Sequence, residues 1–544
     1  MKKNSFINGA FIATFAIIIV KIIGVLYLIP FYAIVGEEGG ALYGYAYNIY
    51  MIFLGVSSAG LPFAVSKLMS EYEALGYNST KKRALKIIFK FISIISAVAF
   101  LILFIFAPSF AQLIVGSNVT SSYLKDVVFV IRMVSFALLI IPYLSITKGF
   151  LQGHKFITPG SISQIIEQIV RVIIILVGSF LIVKVFKFHI NLAIGVSAFA
   201  AFIGGLVAYI YLYIIMKKNK KKIFTSEKVL KEEKVITNKI IIKKIITYSI
   251  PFIITGVAFS IYNFTDMVLV RRTLTDILGY SLTKADTITA VYSTWASKLL
   301  AIVIAISTGL TTSLLPNIVQ SYTKKDVDDV NNKVNKSIQI LLLLIVPITI
   351  FVSMTSLSIW TMFYGSSEYG GILLRVYIFT ALATAISTLA NNILQGLSKY
   401  KVVYIVTLSG LLLNIVMDIP LILLFDKLNL FPVWGASIST IISMSLAGIT
   451  SFIYLKKNVN LNYRSTIRMI PSILISYIVF IGIILILSMF IPLNLNNRLI
   501  QIPILIIYGV ISFGIYFFIN YKNKNIEKVL GKKGLLNIIK RQKK

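Results

Sequence analysis

Apolar stretches of roughly 20 residues recur along the whole chain, each long enough to cross about 30 Å of hydrocarbon, with short charged or polar segments between them. The pattern predicts fourteen helical spans, at approximately 8–35, 41–69, 84–107, 122–147, 157–183, 190–216, 242–270, 287–319, 334–357, 371–396, 402–425, 433–455, 467–491 and 498–521. Helix breakers fall inside several of them: Gly24 and Pro30 in the first, Gly55, Gly60 and Pro62 in the second, Pro251 and Gly256 in the seventh. The fold class read from this pattern is an all-α integral membrane protein.

Composition agrees. Of the 544 residues 58% are hydrophobic and 13% charged, against about 45–50% and about 25% in soluble domains. The first apolar stretch is too long for a secretory signal peptide, runs on into further spans and lacks a small-residue cleavage site. With no cysteine, the chain has no disulfide framework, thiolate metal site or cysteine nucleophile.

A net charge of +34 changes the picture only through its distribution. If the N-terminus is cytoplasmic, roughly 38 of the 53 Lys and Arg face the cytoplasm and roughly 8 the other side, including Arg271, Arg272 and Lys284, as the positive-inside rule requires. Both termini are therefore expected inside. The segments 217–241 and 522–544 read as a linker and a tail attracted to anionic membrane lipid, and no nucleic-acid partner is expected.

The remaining cations lie within spans: Lys21, Lys67, Lys90, Arg132, Arg171, Lys298 and Arg375, against only Glu167, Asp266 and Asp418. Lys67, Lys90 and Arg375 stand near span ends, where long side chains snorkel. Glu167 and Arg171 are four apart on one helix face and either neutralise each other or serve function. Lys21, Arg132 and Lys298 have no acid three or four residues away on their own helices. Ionised groups at mid-span cost about 2.5–3.5 kcal/mol each, so an excess of cations points to a cavity that receives an anion.

Internal repetition adds an organisation. SSAGLPFAVSKLMSEY (57–72) resembles ISTGLTTSLLPNIVQSY (306–322), and KGFLQGHKF (148–156) resembles NNILQGLSKY (391–400), both about 250 residues apart. Two six-span lobes of parallel topology are expected, 1–216 and 242–456, joined by the linker 217–241. A terminal helix pair (457–521) would provide an apolar groove, ahead of the tail 522–544. No paired carboxylates, phosphate-binding lysine loop or metal cluster marks an enzyme.

The stretches VGEEGGALYGYAYNIY (35–50), GLPFAVSKLMSEYEALG (60–76), VIRMVSFALLIIPYLSITKGFLQG (130–153) and SQIIEQIVRV (163–172) resemble the MurJ-type flippases of Gram-positive bacteria. The resemblance is to the YtgP and stage V sporulation protein B branch of the multidrug/oligosaccharidyl-lipid/polysaccharide exporter superfamily. It implies a monomeric, multi-pass protein of the bacterial plasma membrane with a cationic central cavity. The implied activity is movement of a polyprenyl-diphosphate-linked saccharide, lipid II, to the outer leaflet. The alternatives are another lipid-linked oligosaccharide of capsule or teichoic type, or drug/cation antiport. The family's first-span arginine resembles Lys21 and its eighth-span arginine Lys298. Further family arginines have no basic counterpart, Tyr27 and Leu54 standing nearby, and Arg132, Arg171 and Glu167 complete the expected substrate-binding set. No cofactor is required. Some members hold Na+, and the resemblance implies Asp266, Asn414, Asp418 and Thr440 for it, with Asn414 and Asp418 on one helix face. Pairing of either aspartate with a cation across the bundle is the other reading.

Overall fold

In hydrocarbon a backbone must hydrogen-bond within its own segment, which leaves the helix as the available form for runs such as these. A computed structural model describes residues 6–58, 60–116, 119–219, 236–493 and 497–529, and no strand occurs among them. Thirteen helical stretches among the described residues are long and apolar enough to span a bilayer, and a shorter apolar stretch, Phe15–Leu26, precedes them. The basic segments 220–235 and 530–544 lie outside the described residues.

The first expected turn is made by one residue. Helices α1 (Phe6–Leu26) and α2 (Leu28–Ser58) meet at Tyr27, and α2 is broken at Gly36, with φ 68° and ψ −172°. The Phe31 and Tyr43 ring centroids are 5.8 Å apart, whereas twelve residues of straight helix would separate them by about 18 Å. The chain therefore folds back at Gly36, a left-handed backbone position that glycine adopts without strain. A second break precedes α3 (Leu61–Ala74), where Pro62 sits in the first turn and Gly60 caps it. Pro251, by contrast, does not interrupt its helix, which runs unbroken from Asn238 to Arg272.

Two compact units follow, Met1–Trp295 and Ala296–Lys544. The first holds α1–α3 and α4 (Asn78–Ile105), α5 (Ala107–Val115), α6 (Ser121–Ser135), α7 (Ile141–Gly153), α8 (Ile157–Phe180), α9 (Ile190–Lys218), α10 (Asn238–Arg272) and α11 (Leu282–Ala290). Its apolar core gathers Leu68, Met69, Ile88, Phe150, Leu212 and Ile245 from α3, α4, α7, α9 and α10. Close approach of α7 to α3 depends on Gly149 and Gly153. A β-carbon at Gly149 would lie 2.3 Å from the Pro62 carbonyl oxygen, and one at Gly153 2.7 Å from that of Ser66.

The second unit holds α12 (Ser297–Thr323), α13 (Val327–Met354), α14 (Ser356–Tyr364), α15 (Gly370–Tyr377), α16 (Phe379–Gly396), α17 (Tyr400–Lys427), α18 (Val433–Asn458), α19 (Arg464–Phe490) and α20 (Arg498–Lys522). The terminal pair α19 and α20 packs on α13 through Met469, Ile473, Phe480 and Tyr508. Tyr477 and Tyr516 donate to the Leu342 and Leu343 carbonyls at 2.7 and 3.1 Å. Ile478, Met489, Phe490 and Leu499 remain exposed on the pair's other side.

The repeated Leu-Gln-Gly stretches share a backbone form. The Phe156 amide donates to the Leu151 carbonyl at 2.9 Å around Lys155 (φ 64°), and the Lys399 amide to Leu394 at 2.8 Å around Ser398 (φ 59°). Both are left-handed helix ends closing six residues back on one.

Gly149→Leu drives a branched side chain into the α3 backbone, which cannot yield as a side-chain tip would. Overpacking of this kind costs about 1–3 kcal/mol, so the midpoint of thermal unfolding in detergent should fall by several degrees. Heat challenge followed by size-exclusion chromatography measures it; Gly160→Ala, whose added carbon would meet only the Lys148 side chain at 3.8 Å or beyond, should leave the midpoint in place.

Candidate functional site

Small residues bring the charged turn of α8 into the interior of the first unit. A β-carbon on Gly204 of α9 would lie 2.7 Å from the Glu167 carbonyl oxygen and 3.2 Å from the Arg171 β-carbon, so only glycine permits this spacing. From the other flank α1 approaches at Gly24, where an added carbon would be 3.3 Å from Gln168 Nε2. Lys21 lies one turn before Gly24, exposed, and no carboxylate pairs with it among the described residues.

Arg171 is held by phenols. Its Nη2 donates to the Tyr43 hydroxyl at 3.3 Å, and its guanidinium carbon stands 5.2 Å from the centre of the Tyr47 ring. The Tyr43 and Tyr47 rings are stacked at 5.5 Å, and Tyr50 lies 5.6 Å from Tyr47. Aromatic faces attract a guanidinium through their quadrupole without neutralising it. Arg171 is only half-buried, and a guanidinium offers five donors, so it keeps both charge and donors for a ligand.

Of the two readings open for Glu167 and Arg171, mutual neutralisation is not the one seen, since Glu167 has another cationic partner. Glu167 accepts from Lys148 Nζ at 3.2 Å, both side chains being half-buried. Lys148, placed by sequence in a cytoplasmic loop, thus belongs to this cluster. At the α8 turn the formal charges are Lys148 and Arg171 against the single carboxylate of Glu167, an excess of positive charge that suits an anion.

Arg132 is engaged elsewhere. Its Nε donates to the Phe104 carbonyl at 3.3 Å, and its guanidinium carbon lies 5.1 Å from the Phe104 ring centre. Phe104 is in the last turn of α4, whose carbonyls lack helical partners, and a cation there also complements the helix dipole. Arg132 is therefore a helix-end cation, held apart from the contacts of Arg171. Lys298 is half-buried at the second position of α12, in the second unit. Lys67, Lys90 and Arg375 are exposed, as span-end residues should be.

Of the residues implied for Na+, Asp266 is buried in the first unit and accepts from the Tyr292 hydroxyl at 3.0 Å. Asn414, Asp418 and Thr440 are buried in the second. Asn414 Nδ2 donates to Asp418 Oδ1 at 2.9 Å and to Ser439 Oγ at 3.0 Å. Asn414 Oδ1 is buried and accepts no hydrogen bond, an acceptor that a hard cation would satisfy. No group of three His, Cys, Asp or Glu side chains suited to a metal occurs among the described residues.

Two features escaped the sequence. The tyrosine series 43, 45, 47 and 50 was visible as letters, but only a helix placed beside α8 turns three of them toward Arg171. Arg271, assigned to an outer loop, is fully buried, and its partner Asp286 nearly so; adjacency to the more exposed Arg272 disguised it.

Comparison with known proteins places the chain. A family model described as polysaccharide biosynthesis protein matches residues 6–322, and one described as MatE matches 251–419. Lipid II flippase MurJ of Bacillus subtilis (strain 168) is 30% identical over 540 residues, which cover 98% of each chain. Stage V sporulation protein B of the same organism is 24% identical over 345 residues, 63% of this chain and 64% of that protein. Among solved structures, the inward-facing conformation of a multidrug resistance MATE family transporter of the MOP superfamily superposes with a TM-score of 0.63 at 14% identity, covering 81% of this chain and 94% of that one. A MOP superfamily transporter from Pyrococcus furiosus gives 0.59 at 14% identity, over 83% and 96%. This all-helical, multi-pass membrane chain belongs to the polysaccharide biosynthesis protein family, in the MurJ-type group of the multidrug/oligosaccharidyl-lipid/polysaccharide exporter superfamily.

Proposed function

We propose that the chain is a flippase that carries a polyprenyl-diphosphate-linked saccharide, lipid II, from the inner to the outer leaflet of the bacterial plasma membrane. The observation that carries this reading is Arg171, a cation inside the bundle held by tyrosines while its neighbouring carboxylate is taken by Lys148. Likeness to the Bacillus subtilis lipid II flippase along nearly the full length supports the cargo.

In this reading both termini are cytoplasmic, and two six-span lobes alternate access to the site. Lys21, Lys148 and Arg171 of the first unit receive the diphosphate, and Lys298 is a further substrate-binding cation of the second unit. Cationic side chains offset the cost of taking phosphates out of water. The prenyl chain stays in the bilayer, with the apolar outer face of α19 and α20 as its track. An inside-negative potential favours outward passage of the anion by about 2.3 kcal/mol per elementary charge per 100 mV. Antiport of a drug cation fits poorly with an excess of cations over the one carboxylate at this turn. Another lipid-linked saccharide is the second reading, favoured by the family model matched over 6–322.

Asn414, Asp418 and Thr440, all buried in the second unit, would hold a Na+ ion. Carboxylate, amide and hydroxyl oxygens suit a hard cation better than a transition metal. A Na+ ion held there would supply one positive charge between α17 and α18.

Reconstitution in liposomes with purified lipid II and with other lipid-linked saccharides, scored by accessibility at the far leaflet, tests the cargo. Lipid II should move faster than the others; preference for a different saccharide would replace it as cargo. Loss of a charged hydrogen-bonding group costs about 1.5–3 kcal/mol, so Arg171→Ala should weaken binding of a prenyl diphosphate roughly tenfold or more. Arg132→Ala should leave that affinity within about twofold and lower stability instead, a contrast that titration calorimetry reads directly. In a flippase-depleted strain, Lys21→Ala and Lys298→Ala should fail to restore growth while remaining folded in the membrane. For the ion, Na+ should raise the unfolding midpoint more than K+ does, and Asp418→Asn should abolish that difference.

A further inference from the structure

The helices expected to open the second lobe are fastened, in this structure, to the first. We propose that Tyr45, Tyr123, Arg271 and Asp286 are a polar latch that closes the extracytoplasmic side by holding the ends of the seventh and eighth spans on the second, third and fourth. The proposal rests on the orientation and alternating access argued above, but not on the identity of the cargo.

The geometry is that of a mostly buried network, with Tyr123 half-buried and Arg271 Nη2 without a hydrogen-bond partner. Arg271 Nε donates to Asp286 Oδ1 at 2.7 Å and to the Tyr45 hydroxyl at 3.1 Å. Tyr45 donates to Asp286 Oδ1 and Tyr123 to Asp286 Oδ2, each at 2.6 Å. Arg271 Nη1 donates to the Val115 carbonyl at 2.8 Å. Its neighbour Arg272 donates to the carbonyls of Leu113 and Gln112 at 3.0 and 2.9 Å. Five helices thus meet: α2 and α6 bring the phenols, α10 the arginines, α11 the carboxylate, and α5 the carbonyls of its last turn. The Gln112 carbonyl also accepts from the capping Gly116 amide at 2.9 Å, and the last-turn carbonyls carry the negative end of the α5 dipole, so two arginines are well matched to them.

Beside the network, α2 and the eighth span are in direct contact. Thr294 donates to the Gly40 carbonyl at 2.9 Å. The Trp295 ring fills the space beside Gly40, where a β-carbon would come within 2.2 Å of its Nε1. Arg271 is 0% exposed and Thr294 4%, so water reaches neither side chain while the latch is shut. In an alternating-access cycle the seventh and eighth spans must leave α2 for the outside to open. The latch is then the set of hydrogen bonds that has to break, with outside water as the replacement partner.

A network that merely glued the fold together would affect folding alone, and accessibility separates the two roles. The chain contains no cysteine, so Thr294→Cys introduces a single thiol at the α2 contact. In the parent background an impermeant maleimide added outside should label it slowly. Tyr45→Phe with Tyr123→Phe removes two donors and keeps the charge pair, and labelling should rise at least fivefold with unchanged yield of monodisperse protein. Arg271→Met with Asp286→Leu removes both charges together, which avoids stranding one of them in the interior, and labelling should rise at least as much. Labelling at the parental rate in both folded variants overturns the latch. Because labelling needs no substrate, a lack of lipid II movement in liposomes would count against the cargo and leave the latch standing.

Discussion

A charge carried into hydrocarbon must be given partners, and the first unit is organised around how it does so. Three arginines show three solutions. Arg132 lies on the carbonyl end of α4, where the helix dipole compensates it locally. Arg271 has a carboxylate, a phenol and a backbone carbonyl, and is sealed from water. Arg171 has phenol oxygen and ring-face partners from tyrosines, and remains half-buried. Removing one member of a sealed pair strands the other, so such pairs serve structure or switching. A guanidinium compensated by aromatic faces can exchange partners at little cost, and that is what a ligand site needs.

Glycine makes these placements possible. The carbonyl of Glu167 lies where a side chain on Gly204 would have to go, and Trp295 where one on Gly40 would. In lipid there is no hydrophobic gain from bringing helices together, so close packing of small residues supplies the association. The same residues that hold the bundle together therefore determine how near Arg171 comes to Tyr43 and Tyr47.

What was legible in the sequence is what depends on local order. Apolar runs marked the spans, Gly36 stood in the predicted first turn, and the two Leu-Gln-Gly stretches do close in the same left-handed turn. Partner choice was not legible. Glu167 and Arg171 have the spacing of a helical ion pair, yet Lys148, on a neighbouring helix, takes the carboxylate at 3.2 Å. Arg271 and Arg272 look alike in the chain, but consecutive helical residues point about 100° apart, so one faces Asp286 and the other the rim of α5. Hydropathy averages over that angle and loses it.

The helix segment from Tyr43 to Tyr50 connects these observations. At about 100° per residue, Tyr43, Tyr47 and Tyr50 fall on one face of α2 and Tyr45 on the opposite face. One face meets Arg171, the other Arg271 and Asp286. A rotation or shift of α2 that improves contact on one side therefore loosens the other, because hydrogen bonds of 2.6 Å tolerate little displacement. An anion that draws Arg171 away from Tyr43 would release the constraint on that face of α2 and let the helix move where Tyr45 is anchored. Coupling between an anion site and an outer closure then needs no chain of intermediates: it requires one rigid helix with tyrosines on both sides.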